Sequence, residues 1–313
     1  MILTLTLNPS LDRTIEIATL ARGTVMRAAT AHLDPGGKGV NVCRALLANQ
    51  VRSCAIVPYG GAEGRQLVSL LSEEGIQMIT VPVAGPTRSN VALAEPDGTI
   101  TKINEPGTAL SADELDAVAD AVLSAAESAD WVVASGSLPP GVPVDMYARL
   151  CRRFTRAGIN VAVDTSGPAL VSALASAPAL VKPNREELAE ATGTSIASLG
   201  DAIDAAGKLL ALGARSVLAS LGPDGAVLVE DGRAWYGQCP VREPRSTVGA
   251  GDAMLAGFLA GGARGEAALV EALAWASAAV SLPGSRMPSP ADIDRGGVRI
   301  LEPDPAKPLT SGD

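Results

Sequence analysis

From about residue 111 onward the chain alternates between two kinds of segment, and this alternation restricts the fold more than any other feature. Helix-period stretches at 111–128, 145–156, 200–212, 249–262 and 266–281 are interleaved with short apolar runs. The runs are Trp131-Val132-Val133-Ala134, Asn160-Val161-Ala162-Val163, Ala179-Leu180-Val181 and Ser216-Val217-Leu218-Ala219. A strand that is apolar on both faces must be covered on both faces, which calls for a parallel sheet between two layers of helices. The expected fold is therefore a doubly wound α/β sandwich, whose ligands gather at the carboxyl ends of the strands. The first hundred residues depart from this rhythm. After an opening strand, residues 12–18, 24–31, 88–95 and 98–103 read as strands with mixed faces, the last two joined by the turn signal Glu95-Pro96-Asp97-Gly98. Four strands drawn from two segments, about 12–31 and 88–103, predict a small sheet projecting as a lid or a dimer surface. The expectation is one domain over 1–301, followed by a loose Pro-rich tail over 302–313.

Composition removes several function classes. A net charge of −9 without a basic run, and 3 % aromatic residues, argue against a nucleic-acid partner. No apolar run approaches the roughly 20 residues of a membrane helix. The dispersed cysteines Cys43, Cys54, Cys151 and Cys239 form no Cys-x-x-Cys pair, and Met1–Leu7 lacks the basic start of a signal peptide; both point to a cytoplasmic protein. One histidine, His32, leaves no His-based metal cluster and reads as structural. Neither Gly-x-Gly-x-x-Gly after the first strand nor Gly-x-x-x-x-Gly-Lys-Ser/Thr occurs, so any nucleotide phosphates must be cradled elsewhere.

The stretch Ser246-Thr247-Val248-Gly249-Ala250-Gly251-Asp252 offers that cradle. Glycines open a helix whose first N–H groups lack internal partners and attract anions, and Asp252 stands beside them as an acid able to take a proton from an attacking hydroxyl. Read alone, Asp252 is equally an ordinary first-turn acid. Asp34-Pro35-Gly36-Gly37-Lys38-Gly39-Val40-Asn41 opens a second helix with a lysine in its first turn, against the helix dipole, a cost that a bound phosphate would offset. Asp12, in Asn8-Pro9-Ser10-Leu11-Asp12, suits either sugar hydroxyls or a turn cap.

Together, Asn8-Pro9-Ser10-Leu11-Asp12, Gly36-Gly37-Lys38-Gly39-Val40-Asn41-Val42 and Thr247-Val248-Gly249-Ala250-Gly251-Asp252 resemble the PfkB, ribokinase-like carbohydrate kinases, and most of all their phosphosugar branch, the 1-phosphofructokinases and tagatose-6-phosphate kinases. The resemblance implies a mostly parallel sheet sandwiched by helices, a β-lid that often pairs in dimers, and a transfer from ATP with Mg²⁺ to a phosphoketohexose. A monovalent cation is left open. D-fructose 1-phosphate is the favoured acceptor, because relatives acting on fructose 6-phosphate tend to carry glycine at the position of Lys38. Tagatose 6-phosphate and fructose 6-phosphate stay as alternatives, as do a neutral-substrate kinase and a non-catalytic sugar-phosphate regulator.

Residue by residue, the resemblance makes Asp252 the base and Gly249, Ala250 and Gly251 the anion turn. Lys38 and Arg88, with Arg27 as a further candidate, would bind the sugar's phosphate, and Asp12, Gly37, Asn41, Asn90 and Ser137 would line the sugar site. Lys182, Asn184, Ser220, Gly222, Gly225 and Thr247 would surround the nucleotide, and Glu187 would arrange the metal. Asn184 and Glu187, three apart, also read as a helix cap.

Overall fold

The computed structural model describes residues 1–126 and 129–310. In chain order the strands are β1 (Ile2–Thr6), β2 (Ser10–Glu16), β3 (Thr30–Gly36), β4 (Ser53–Tyr59), β5 (Met78–Pro82), β6 (Arg88–Ala94), β7 (Ile100–Asn104), β8 (Trp131–Ser135), β9 (Asn160–Asp164), β10 (Leu180–Val181), β11 (Ser216–Ser220), β12 (Ala226–Glu230), β13 (Arg233–Gln238) and β14 (Arg299–Leu301). The helices are α1 (Lys38–Ala48), α2 (Gly61–Glu73), α3 (Ala112–Ala126), α4 (Met146–Arg156), α5 (Gly167–Leu174), α6 (Arg185–Thr192), α7 (Leu199–Ala211), α8 (Ala250–Ala260) and α9 (Gly265–Val280).

The main sheet runs β14-β13-β12-β11-β10-β9-β8-β1-β4-β5. Neighbours from β5 to β11 are parallel, and β11 to β14 are antiparallel. Alternate strand residues divide between two cores, as period-two geometry requires. Leu3, Leu5, Val132, Ala134, Val161 and Val163 pack with α3 to α7, while Ile2, Val133, Ala162 and Leu218 pack with α1, α8 and α9. Each fully buried leucine of this kind contributes about 1.5–3 kcal/mol.

The doubly wound sandwich is as expected, with one correction: the alternation begins at the N-terminus, not at residue 111. β1, α1, β4, α2 and β5 already follow it, and lid strands inserted after β1 and after β5 hide the period. The expected helix over 111–128 is observed over Ala112–Ala126, and residues 127 and 128 lie outside the described residues.

The lid is a separate sheet of order β3-β2-β6-β7, with β2 and β6 parallel at its centre. Its second strand is displaced from the expected 24–31 to Thr30–Gly36, because it pairs with β2 from Glu16↔Thr30 to Ser10↔Gly36, back to where the chain leaves the main sheet. Residues 22–29 are instead an exposed connection turning at Gly23. The Glu95–Gly98 turn forms as expected, with Gly98 at φ 92 and Glu95 N–H donating to Thr99 O.

The tail is also corrected. Through Thr310 it is docked: Leu309 is buried in the larger core, and the N–H groups of Leu199 and Gly200 donate to the carbonyls of Lys307 and Pro305. Leu309 supplies the apolar anchor that a polar, Pro-rich composition conceals. Residues 311–313 lie outside the described residues. Among the described residues no helix is long and apolar enough to cross a membrane.

Candidate active site

α8 starts where it does because Gly249, its N-cap, adopts the left-handed φ of 78 that most side chains resist. Ser246 Oγ accepts from Val248 N–H at 3.2 Å and tightens the approach. The helix is apolar on nearly every side, packing between α1 and α9, so its first turn is held rigidly at the centre of the molecule. The N–H groups of Gly251 and Asp252 have no intrahelical acceptor there.

Asp252 is 7 % exposed, and its Oδ2 accepts from Asn41 Nδ2 of α1 at 2.8 Å. Burial, and next the negative charge of Asp164, push its carboxyl up to about 7, against the pull of Asn41, Lys38 and Lys182. Two consequences differ in sign. Because the folded value lies above the ordinary 3.8, Asp252's contribution to stability is complete below about pH 4 and is lost as pH rises through about 7. Proton acceptance has the opposite dependence, since only the ionised form can act as a base. kcat/KM is expected to fall about tenfold per pH unit below a midpoint near 7. A flat profile from pH 6 to 8 would contradict Asp252 as the base.

Beneath this turn lies a charge network that the sequence reading only half foresees. Asp164, at the carboxyl end of β9, is fully buried. Its Oδ1 accepts from Lys38 Nζ at 2.8 Å, and its Oδ2 lies 3.2 Å from Lys182 Nζ. Burial raises the Asp164 carboxyl, but Lys182 and Lys38 outweigh it and hold the group below the usual carboxylate range. Lys38 also reaches Glu187 Oε1 at 3.3 Å, and although burial opposes its charge, Asp164 and Glu187 keep its ammonium protonated well above the usual lysine range. Lys182 is 4 % exposed, and a methyl placed on Gly251 would lie 3.3 Å from its Nζ, so this cation abuts the anion turn. Asp164 has no part in the sequence reading, yet a signal existed: an acid directly after Val161-Ala162-Val163 sits at the ligand edge of a parallel sheet.

The network corrects one argument. Lys38 does not depend on a ligand phosphate for a partner, because two carboxylates already provide one. The case against a neutral substrate therefore rests on Arg88. Its Nη1 donates to Glu105 O at 3.0 Å and its Nη2 to Asn8 O at 3.1 Å, while its buried Nε has no partner.

On the lid side, Asp12 is a β2 residue opposite Asn90 of β6, not a turn cap. Its Oδ1 accepts from Ser10 Oγ at 2.6 Å and from Asn90 Nδ2 at 2.9 Å. Gly36 is required beside it, since a Cβ there would collide with the carboxylate. Asn8 Nδ2 donates to Ser137 Oγ at 3.2 Å. Gly37 turns the chain into α1 at φ 118, and Arg27 is exposed on the loop between β2 and β3.

On the other side, Asn184 and Glu187 form a capping box: Glu187 N–H donates to Asn184 Oδ1 at 2.7 Å and Asn184 N–H to Glu187 Oε2 at 2.9 Å. The cap leaves Glu187 Oε1 facing Lys38, so the helix-cap reading holds and the other oxygen pairs with a lysine. Asn184 is bridged to Ser220, which leads into the 3₁₀ turn Gly222–Asp224 closed by Gly225. Thr247 and Gly222 are exposed. The structure thus joins Lys38, Asn41, Lys182, Glu187, Gly251 and Asp252 in one centre, with Asp12, Arg88, Asn90 and Ser137 toward the lid and Asn184, Ser220, Gly222 and Gly225 toward the opposite edge.

Among the described residues no group of three or more His, Cys, Asp and Glu side chains is arranged to hold a metal ion. Mg²⁺ bound with a nucleotide needs only one or two carboxylates, the rest being phosphate and water oxygens. Asp164 and Glu187, converging on Lys38, supply such a pair, so the donor chemistry fits.

The chain matches the pfkB family carbohydrate kinases over residues 5–292. It is 37 % identical over 261 residues to a 1-phosphofructokinase of Bacillus subtilis, spanning 83 % of this chain and 85 % of that one. It is 38 % identical over 257 residues to the ATP-dependent 6-phosphofructokinase isozyme 2 of Escherichia coli, spanning 81 % and 83 %. The crystal structure of phosphofructokinase-2 from Escherichia coli in complex with potassium is similar with a TM-score of 0.87 at 35 % identity, covering 93 % of this chain and 96 % of that one. A match that runs through the lid, the main sheet and the anion turn alike leaves one assignment: the chain belongs to the pfkB family of carbohydrate kinases.

Proposed function

We propose that this protein is an ATP-dependent kinase of a phosphorylated ketohexose, transferring a phosphoryl group to O6 of D-fructose 1-phosphate to give fructose 1,6-bisphosphate. The observation that carries this reading is the chemistry of the buried polar atoms without partners. Asn41 Oδ1 and Asn90 Oδ1 are free acceptors and Arg88 Nε is a free donor, which together suit a ligand with hydroxyls and an anionic group. The similarity to 1-phosphofructokinase supports the same acceptor.

In this reading Asp252 takes the proton of the attacking hydroxyl, and Asn41 fixes the carboxylate's orientation. The N–H groups at 249–252 and Lys182 receive the charge that collects on the transferred group, already oriented and shielded from water. Asp12 and Asn90 hold sugar hydroxyls beside Gly37 and Ser137, while Arg88 and Lys38 take the phosphate already on the sugar. Asn184, Ser220, Gly222, Gly225 and Thr247 border the nucleotide. Glu187, with Asp164 beside it, would hold Mg²⁺ together with the nucleotide, and the ion would supply positive charge to the donor phosphates.

The reading includes a cytoplasmic homodimer formed through the lid, where Val25 and Ile103 expose apolar surface at 88 % and 59 %.

A panel of fructose 1-phosphate, fructose 6-phosphate, tagatose 6-phosphate and free fructose, each with ATP and Mg²⁺, tests the assignment by coupled ADP release. The highest kcat/KM is expected for fructose 1-phosphate. Comparable turnover of free fructose would remove the role given to Arg88, and preference for another phosphosugar would reassign the acceptor.

A further inference from the structure

Asp224 ends the glycine turn that follows β11 and is 8 % exposed. Its carboxylate is held by one residue near the end of the described chain. Thr310 N–H donates to Oδ2 at 2.7 Å, and the Thr310 hydroxyl donates to Oδ1 at 2.9 Å. The Asp224 carbonyl accepts from the Tyr236 hydroxyl at 2.8 Å, and Lys307 Nζ in turn donates to Tyr236 Oη at 2.6 Å. Arg185, next to Asn184, donates to the Thr310 carbonyl and to Ile196 O. Between these anchors the segment is fastened to the start of α7 by Leu199 N–H to Lys307 O and Gly200 N–H to Pro305 O, and Leu309 is buried in the core. The segment therefore ties together Arg185, the start of α7 and the 222–225 turn.

We propose that Pro305–Thr310 is a strap that holds the 222–225 turn in its nucleotide-accepting shape, with Asp224, Thr310 and Arg185 as positioning residues. The inference rests on the kinase reading above. The turn is closed internally by Leu221 N–H to Gly225 O and Gly225 N–H to Gly222 O, and Gln238 Nε2 donates to the Asp224 carbonyl at 3.3 Å. Gly222 and Gly225, at φ 60 and 94, nevertheless leave it hinges at both ends, and the Asp224 carboxylate is the side chain that fixes how the turn sits against the strap. A turn released from Thr310 spends part of its time in other shapes. If the competent fraction drops to about one tenth, apparent affinity for ATP drops about tenfold. Among the described residues no hydrogen bond or ion pair joins Asp224, Arg185 or Pro305–Thr310 to Asp252, Asn41 or the lid strands, so catalysis and the sugar site are expected to keep their geometry.

The test uses the full chain with Asp224→Ala and, separately, Thr310→Pro, which removes both donors while keeping Lys307 and Leu309. Expected in both is a rise of about tenfold in KM for ATP, with kcat and KM for fructose 1-phosphate within about twofold of wild type. Calorimetric titration with ATP and Mg²⁺ should show the same weakening. Unchanged KM for ATP in both variants overturns the strap, and so does a parallel loss in kcat and both KM values, which would mark a purely structural role. If Asp224→Ala does not fold, Thr310→Pro carries the measurement. If the wild type phosphorylates none of the sugars, the kinase reading fails separately, and the calorimetric arm still decides the strap.

Discussion

Asp252→Asn is expected to lower kcat by about 10³–10⁴-fold, the upper range for loss of a positioned general base, without lowering the melting temperature. Asparagine has nearly the same shape, and its side-chain oxygen can still accept from Asn41 Nδ2, so the bond now made at 2.8 Å has a successor. The buried carboxylate is itself unfavourable when ionised, as its raised value of about 7 records. At pH 8 the variant should therefore melt at or above the wild-type temperature, since it no longer buries that charge. Stopped assays at saturating ATP and fructose 1-phosphate measure the rate, and differential scanning calorimetry at pH 8 measures the melting. A variant within tenfold of wild type in kcat would remove Asp252 from proton transfer. A variant that melts well below the wild type would contradict the expected stability, so rate and melting are measured on the same preparation.

Asp164→Ala is expected to have the largest effect on stability of any single change in the site. The carboxylate is fully buried and lies between two lysines, at 2.8 Å and 3.2 Å. Removing one partner of a buried ion pair costs about 3–5 kcal/mol, because the remaining charge stays out of water without compensation. Lys38 keeps Glu187, but Lys182, 4 % exposed, is left without its carboxylate. For a chain of 313 residues that corresponds to a fall of roughly 5–8 °C in melting temperature. Asp164→Asn, which preserves shape and an acceptor oxygen, should recover part of the loss. A melting temperature unchanged to within about 1 °C in Asp164→Ala would mean that the lysines find water or move outward, and that the network contributes little.

The parts of this fold that are legible in the sequence are those where burial acts on both faces of an element. Val132, Val133 and Ala134 announce a covered strand because no face of it can meet water, and the Ala-rich helices around it follow. β3 is hidden for the opposite reason: Thr30, Ala31 and His32 are exposed, so no apolar period marks an edge strand whose place is fixed only by pairing with β2. α2 buries little beyond Leu67 and Leu71, a stripe too narrow to stand out between glycines. Within the site, Asp252 and Lys38 are legible because each sits in a glycine-rich helix start, where the local physics of unpaired amides gives a charge meaning. Asp164 has no such local context. Its role exists only through Lys38 and Lys182, 126 and 18 positions away in sequence, and only the assembled sheet brings the three together. Glu187 shows a third case, in which one side chain satisfies a helix cap with one oxygen and reaches Lys38 with the other.

The lid has a further consequence in the way it is threaded. Its two central strands, β2 and β6, come from segments separated by α1, β4, α2 and β5, and each brings its own outer partner, β3 or β7. Neither hairpin alone closes the sheet, since removing one would lay bare the long edge of the other. β3 also runs through Gly36 and Gly37 directly into α1, with no slack between the sheet and Lys38. Such an appendage cannot be exchanged between relatives as a single cassette. Transplanting it would take two simultaneous insertions in matching register, so its descent is bound to that of the body that carries it.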